Sequence, residues 1–400
     1  MSREKGGIPV NRVLLAKPQE SETTPRSPIP CRPRESETRK SLQPESLTYD
    51  AAQALVRRLV TQFGIDPTDC VDNDVGAGFS KVSYAQVAPL VGLKPYLGLQ
   101  DISTFEIHRS RIPIELFKTI VADMDVMMVQ YGPPYVHRTE EAKSRFFSPV
   151  FNHLVKQFTF MFRNNPEAIV DGRIGTRGRI EYHFEAFGAV AILCIEMKLG
   201  VGNEEERLKA IAQVIAECNG CDLNNAQGAF SLPILCILSD GLTFEFFKFE
   251  RDGSGPSFFR GCFPGDPEGL QRGLKLPDPQ TTDTTLPFVL QLRGICETIF
   301  DTMLSAYISA LYACRDRSAL ARKQKRPSLD GWDQALKSAE DALATFRKAE
   351  TQRKDGNVDS ADMSVSEGLR LLHESTGAVS TVYTSKLFMT FWDEEQVKKA

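Results

Sequence analysis

Two runs of alternating polar and apolar residues, separated by a glycine-containing dipeptide, dominate the middle of the sequence. The first run is Arg179–Phe187 and the second is Val190–Lys198, with Gly188 and Ala189 between them. Alternation with a period of two is typical of β-strands, and Gly188 suits the first central position of a tight type II′ turn. The sequence therefore predicts a β-hairpin in which Phe187 pairs with Val190.

This alternation assigns the side chains of the predicted hairpin to two faces. One face is apolar throughout, which predicts burial of Ile180, Tyr182, Phe184, Ala186, Ala191, Leu193, Ile195 and Met197. The opposite face carries the polar and charged residues Arg179, Glu181, His183, Glu185, Glu196 and Lys198. In the register that starts from Phe187 and Val190, Glu181 lies opposite Glu196 and Arg179 lies opposite Lys198.

The facing pair of glutamates is the chemically informative part of this hairpin. Directly opposed residues have Cβ atoms about 5 Å apart, so Glu181 and Glu196 repel each other unless something compensates their charges. A divalent cation is the simplest compensation, and Mg²⁺ (or Mn²⁺) needs only one or two carboxylates from a protein. The alternative is the solvated polar face of a half-exposed sheet. We expect His183 to be a packing or hydrogen-bonding residue rather than a catalytic base.

Composition limits the class of protein and its location. The chain has 400 residues, 42% of them hydrophobic and 25% charged, as in ordinary globular proteins. Its net charge of −4 provides no global basic field for a polyanion. We expect no membrane span and no secretory signal, because long apolar runs are absent from the sequence.

The cysteines indicate a reducing compartment rather than a disulfide-linked fold. Nine cysteines, an odd number, are spread from Cys31 to Cys314. Cys218 and Cys221 form a single CxxC pair without a matching second pair, which favours two ordinary thiols near a helix end over structural zinc. We therefore expect an intracellular protein, cytoplasmic or nuclear, and the basic run Arg322–Arg326 is compatible with nuclear import, a nucleic-acid contact or a solvated helix flank.

Composition and periodicity divide the chain into four regions. Residues 1–45 are rich in Pro, Ser, Glu and Arg, which predicts disorder, and 46–135 predict a helical region. Residues 136–316 predict an α/β domain with a mixed central sheet. Its elements are a helix over 140–162, a strand over 168–171, the hairpin, a helix over 204–218, strands over 232–238 and 242–250, a surface loop over 251–285 and a helix over 288–315. Residues 317–400 predict a basic linker and a helical tail.

The two motifs of the hairpin resemble those of the PD-(D/E)XK nuclease superfamily. Gly178-Arg179-Ile180-Glu181-Tyr182 is similar to the first acidic strand of many members, and Ile195-Glu196-Met197-Lys198 is similar to the strand that carries Glu-x-Lys. The helix, three strands, helix and strand predicted between about 140 and 238 follow the family's order. The likeness covers about a quarter of the chain, which is also similar to a nuclease-like module of fungal, effector-associated families.

The resemblance implies a fold and an activity. The fold is a restriction-endonuclease-like αβββαβ core with a mixed central sheet, extended by helices at both ends. The activity is metal-dependent hydrolysis of nucleic acid, DNA in preference to RNA, with Mg²⁺ or Mn²⁺ held by Glu181 and Glu196. Lys198 would assist the attacking water, Gln213 on the following helix would have an auxiliary role, and Arg179 would hold a neighbouring phosphate.

Departures from the family pattern leave alternatives open. Glu181 stands where the family usually has aspartate, so Asp171 on the preceding strand is an alternative first metal ligand. Glu140 and Glu141 both fit an accessory acidic position on the first helix. Such domains also serve as catalytically inactive modules, which here would bind nucleic acid or dock a protein partner through the helical flanks. A mainly helical scaffold with a structural hairpin is a third interpretation.

Overall fold

The computed structural model of the protein describes residues 78–173, 177–253, 255–266, 273–277, 285–323 and 331–379. All of these belong to the second of two units of the chain, Thr68–Ala400. The predicted disordered tail, the helix predicted near residues 49–63 and most of the basic run Arg322–Arg326 lie outside the described residues. None of the described helices is long and apolar enough to cross a membrane.

A mixed sheet of eight strands forms the centre of the described chain. Its strands, with those of a second sheet, are β1 (Thr104–Glu106), β2 (Phe162–Asn164), β3 (Ala168–Asp171), β4 (Arg177–Ile180), β5 (Tyr182–Ala186), β6 (Val190–Met197), β7 (Ile234–Ser239), β8 (Thr243–Asp252), β9 (Gly255–Cys262) and β10 (Leu274–Lys275). The large sheet has the order β1-β9-β8-β7-β6-β5-β2, and β10 pairs with β8. The β6–β7 and β1–β9 pairs are parallel, and β3 and β4 form a separate two-stranded sheet.

Helices cover both faces of the large sheet. They are α1 (Tyr84–Val87), α2 (Ile114–Tyr131), α3 (Glu140–Lys156), α4 (Glu204–Gln227), α5 (Leu286–Lys323), α6 (Trp332–Lys354) and α7 (Val358–Ala378). One apolar cluster joins one face of the sheet to α2, α3, α5, α6 and α7. A second cluster joins the opposite face to α4 and the segment 79–102. The predicted α/β class with a mixed central sheet is therefore confirmed.

The double cover explains why the central strands are apolar on both sides. All eight residues of β6 and all six of β7 are buried. Strands buried on both faces read as near-continuous hydrophobic runs rather than as an alternation. The polar face predicted for the hairpin is consequently not a solvated surface, and Glu196 and His183 lie inside the protein.

The hairpin turns one residue earlier than the sequence predicts, and a β-bulge corrects the register. Phe187 and Gly188 both have positive φ, and the Ala189 amide donates to the Ala186 carbonyl, as in a type I′ rather than a type II′ turn. Ala186 therefore pairs with Val190, but a shift between Phe184 and Glu185 restores the predicted pairing of Tyr182 with Ile195. The bulge also moves Ala191 to the α4 side of the sheet, with Cys194.

The first predicted strand is interrupted at Glu181. Arg179 pairs with Ile169 in the small sheet, so the prediction that Arg179 lies opposite Lys198 is wrong. Ile180 turns toward the α4 side of the core, whereas Tyr182 faces α3 and α5. Where the chain changes sheets, the amide of Met197 donates to the side chain of Glu181.

Three other predicted elements differ from the structure. The helix predicted over 140–162 ends at Lys156. β2 begins at Phe162 and takes the place beside β5 predicted for the strand at 168–171. The loop predicted over 251–285 contains β9 and β10. The region predicted as helical contributes β1 to the edge of the large sheet. Long-range pairing decided these assignments over local composition.

The C-terminal helices belong to the same core as the sheet. α5 runs through the predicted boundary at residue 316, and residues of α6 and α7 share its apolar cluster. The carboxylate of Glu297 on α5, whose side chain is fully buried, accepts hydrogen bonds from Arg109 and Arg293 at 2.7 and 3.1 Å and lies 3.4 Å from Arg111. This group ties the segment before α2 to α5.

Replacing Glu297 by alanine is expected to destabilise the protein strongly. Removal of one partner from a buried ion pair leaves uncompensated charge and costs about 3–5 kcal/mol, and here three guanidinium groups lose their acceptor. The measurement is urea unfolding of Glu297→Ala beside Glu115→Ala, whose carboxylate makes an exposed pair with Lys118. Equal stabilities of the two variants would contradict a structural role for the Glu297 group.

Candidate functional site

A cavity of roughly 870 Å³ opens between α3, the junction of β4 and β5, the end of β6 and the middle of α4. The structure brings most of the predicted site residues together on its walls. Those that line it are Arg179, Glu181, Glu196, Lys198 and Gln213. Glu140 and Glu141, the two candidates for an accessory acidic residue, also line the cavity.

Glu196 and Lys198 project from one side of the end of β6, because residues two apart on a strand share a face. The Lys198 ammonium donates to Glu196 Oε1 at 2.6 Å and to Gln213 Oε1 at 2.9 Å. The backbone amide of Lys198 donates to the carbonyl of Ser239 at 2.7 Å, which continues the ladder between β6 and β7. Both side chains are thus fixed by the central sheet rather than by a loop.

Gln213 on α4 joins the strand residues to a second buried carboxyl. Its amide nitrogen donates to Glu196 Oε1 at 2.6 Å and to Glu217 Oε1 at 2.7 Å. Gln213 and Glu217 share a helix face because they are four residues apart. Asn203 is the N-cap of this helix, because its side chain accepts a hydrogen bond from the backbone amide of Glu206.

Glu181 approaches the same group from the break between β4 and β5. Its Oε2 accepts the amide of Met197 at 3.0 Å, so its position is linked to the strand that carries Glu196. Burial raises the pKa of Glu181 to about 7, and the neighbouring charge of Glu196 acts in the same direction. The two predicted carboxylates are therefore electrostatic neighbours, although Glu181 lies at the break before β5 and the β5–β6 ladder begins with Tyr182 and Ile195.

Negative charge exceeds positive charge in the interior of the site. Burial raises the pKa of Glu196, although the ammonium of Lys198 opposes this shift. Burial also raises the pKa of Glu217 well above its usual value, and Glu196 adds to the effect. Glu217 is fully buried, and its Oε2 has no donor among the described residues. Burial and the neighbouring charge of Glu196 thus both favour the protonated form of Glu217.

The rim of the cavity carries arginines that are paired with exposed acids. Arg179 contacts Glu167 at 2.5 Å, and Arg145 contacts Glu141 at 2.7 Å. Asp171 is exposed, lies 3.7 Å from a third arginine, Arg177, and does not line the cavity. Of the two alternatives for the first carboxylate, only Glu181 belongs to this constellation.

Several residues that complete the site were not predicted from the sequence. Ser144 on α3 donates to the Tyr182 hydroxyl, which in turn donates to the Ser144 carbonyl, both at 2.8 Å. Phe79 covers another wall, and its ring packs directly on Gly178. The apolar spacing of α3 predicted which face of the helix is buried, but it did not predict the contact of Ser144 with Tyr182. A single phenylalanine far upstream, such as Phe79, gives no sequence signal for its place in the site.

The assignment of a function rests on the geometry of this site, because comparison with known proteins adds no relative. No protein-family model matches the sequence, and no curated protein matches it.

Substitution of Gly178 by alanine is expected to destabilise the wall of the cavity. A Cβ atom at this position would lie 2.0 Å from the ring of Phe79, which is almost completely buried. Overpacking of this kind costs about 1–3 kcal/mol. Thermal unfolding would measure the loss, with Gly253→Ala as the control, because a Cβ there meets nothing within 4 Å. Equal melting temperatures for the two variants would contradict the Phe79–Gly178 contact.

Glu217→Gln tests whether Glu217 is a neutral acid in the folded protein. Its pKa is raised on folding, so above the ordinary value of 4.5 the unfolded chain loses a proton that the folded chain keeps. The parent should then lose stability relative to Glu217→Gln as pH rises from 4.5 toward the raised pKa. Urea unfolding at pH 5 and pH 8 in buffer free of divalent cations measures this difference. If the free energy of unfolding of the parent, relative to that of Glu217→Gln, is the same at pH 8 as at pH 5, or higher, Glu217 is ionised in the folded protein.

Proposed function

We propose that the protein is a divalent-metal-dependent phosphodiesterase that hydrolyses nucleic acid, DNA in preference to RNA. The observation that carries the proposal is the convergence of Glu181, Glu196 and Lys198, with Gln213, on one cavity. Two carboxylates and a lysine at the end of a central strand are the groups that phosphodiester hydrolysis with a metal ion requires. Their types and order follow the motifs that resemble the PD-(D/E)XK superfamily.

The carboxylates fit a divalent cation better than any other ligand. Burial raises the pKa of both Glu181 and Glu196. The neighbouring groups of the protein therefore do not fully compensate the negative charges of these two carboxylates. Lys198 supplies one positive charge to this interior. Carboxylate oxygens are the ligands that Mg²⁺ and Mn²⁺ prefer, and one or two suffice when water and phosphate complete the coordination. We assign Glu181 and Glu196 to this role.

The other residues would position and stabilise the reacting phosphate. Lys198 has three N–H donors, of which two are used on Glu196 and Gln213. The third is available for a phosphate oxygen or the attacking water, where a fixed ammonium stabilises developing negative charge. Gln213 holds Lys198 and Glu196 at a constant separation. The chemistry that a divalent cation supplies in such a site is neutralisation of the phosphate oxygens and activation of the water.

The rim supports a polyanionic substrate whose binding depends on the cation. Arg145, Arg177 and Arg179 are paired with exposed carboxylates, and a phosphate can replace such a partner because exposed ion pairs are weak. Arginine also matches the bidentate geometry of phosphate. Since the interior is acidic and the net charge is −4, the protein alone has little attraction for a polyanion.

The order of the elements around the site supports a restriction-endonuclease-like core. The meander β2-β5-β6 lies between α3 and α4, and α4 crosses over to β7, which is parallel to β6. With β3 and β4 set aside as an insertion between β2 and β5, this arrangement supports the proposed αβββαβ core, with β2 in the place expected for the strand at 168–171.

Glu196→Gln and Lys198→Met are each expected to lower metal-dependent cleavage at least about 100-fold, since each removes a charge that stabilises the transition state. The assay compares plasmid DNA, single-stranded DNA and RNA with Mg²⁺ or Mn²⁺. Glu205→Gln and Lys209→Met are matched controls, because both residues are exposed on α4 and outside the cavity lining. Both controls should cleave at the parent's rate.

Two results would overturn the proposal. Cleavage that persists unchanged in Glu196→Gln and Lys198→Met would place the activity outside this site. Failure of the folded parent to cleave any of the three substrates with either metal would rule out a nuclease. Metal-dependent binding without cleavage would instead support the inactive binding module.

A further inference from the structure

Four cysteine thiols meet in the layer between the large sheet and α4, outside the acidic cavity. Cys194 is on β6 and Cys236 is on β7, and the parallel register of these strands places the two side by side. Cys218 and Cys221 extend toward them from α4, where residues three apart share a face. All four are fully or almost fully buried free cysteines. Three separate elements thus deliver thiols to one place.

The sulfur atoms have the spacing of a metal site. Sγ of Cys194, Cys218 and Cys236 all lie within 4.8 Å of one another, and the Cys194–Cys218 separation is 3.8 Å. In a tetrahedral zinc site with Zn–S bonds of about 2.3 Å, the ligand sulfurs are about 3.8 Å apart. Small side-chain rotations would therefore bring these three sulfurs to bonding distance of one ion. Cys221 is outside this group of three, but its thiol interacts with that of Cys194, so it is the candidate for the fourth ligand.

A buried histidine beside the thiols gives an independent indication. His183 on β5 is directly opposite Cys194 and is 2% exposed. Neither ring nitrogen makes a hydrogen bond of standard geometry to a described residue, and a carboxylate oxygen of Glu185 is 3.5 Å from Nδ1. The Cys221 thiol interacts with both Cys194 and His183. A buried polar ring that is poorly hydrogen-bonded is costly, and a metal-bound thiolate at Cys221 would be a stronger acceptor for it than a thiol.

We propose that Cys194, Cys218, Cys221 and Cys236 bind one Zn²⁺ ion, with His183 as a hydrogen-bond donor to the Cys221 sulfur. Thiolate sulfur selects Zn²⁺ over the hard cations that carboxylates bind, so this site and the acidic cavity take different metals. Binding forms four Zn–S bonds, and the four thiol protons are released to solvent. A second-layer donor on a ligating group is the usual arrangement around zinc.

The ion would stabilise the elements that carry the acidic cavity. It would join β6, β7 and α4 at one point, and these elements hold Glu196, Lys198 and Gln213. On α4, Glu217 lies one turn beyond Gln213, and Cys218 is the next residue. The site is closed to solvent, as structural zinc sites are, and its role is cross-linking rather than catalysis.

The alternative is that the thiols only pack as small apolar side chains. Cys296 on α5 has that role, since it is fully buried away from the cluster. It therefore serves as the matched control for a substitution of a buried cysteine.

The test is the metal content of the full chain, purified without chelators and analysed by mass spectrometry of the elements. We expect about one zinc per chain in the parent and in Cys296→Ala. In Cys218→Ala and Cys236→Ala the content should fall at least about tenfold. Replacement of zinc by Co²⁺ in the parent should give the charge-transfer and d–d absorption of tetrahedral thiolate coordination, with a weaker charge-transfer band in Cys221→Ser.

The parent alone decides the proposal if the variants do not fold. A folded parent that contains no zinc and shows no thiolate–cobalt bands after exposure to Co²⁺ would overturn it. Zinc that is retained in full by folded Cys218→Ala and Cys236→Ala would also overturn it, because the ion would then lie elsewhere. Neither result depends on nuclease activity.

Discussion

The hydrogen-bonded ion pair between Lys198 and Glu196 is the interaction on which the rest of the site depends. Glu196 is only 5% exposed, because it lies on a central strand covered by helices on both faces. A buried carboxylate is tolerated only when charged and polar partners surround it, and Lys198 and Gln213 provide these partners at 2.6–2.9 Å. The need to satisfy this one group fixes the position of α4 against β6.

The cover on both faces also organises the chemistry of the molecule into separate environments. On the α4 side, the apolar layer contains cysteine thiols, whereas the cavity is lined by carboxylate, amide and hydroxyl oxygens and by nitrogen donors. Hard metal ions prefer the oxygen groups, and softer metal ions prefer the thiols. The α5 side has no such groups beside the site, and its packing with α6 and α7 is largely apolar, with Glu297 and its arginines at one end.

The site could be predicted from the sequence only as far as local patterning reaches. Alternation in Val190–Lys198 and the Glu-x-Lys spacing predicted a strand with Glu196 and Lys198 on one face, and helical spacing predicted Gln213 on the next helix. The predicted pairing of Tyr182 with Ile195, next to Glu181 and Glu196, arises in the structure only because a bulge between the Phe184 and Glu185 pairs offsets an early turn at Phe187. A bulge leaves no clear mark in an apolar strand, since either register buries similar residues.

By itself, the sequence determined which segments are strands and helices around the hairpin and which charged residues share a strand face, because these depend on neighbours a few residues apart. Tertiary structure alone decided that β4 leaves the large sheet, that Asp171 lies off the cavity, that Phe79 covers it, and that Cys194 and Cys236 meet the thiols of α4. These outcomes depend on pairing between segments far apart in the chain. Local periodicity carries no information about such pairing, because it is set by the burial and hydrogen bonding of the whole core.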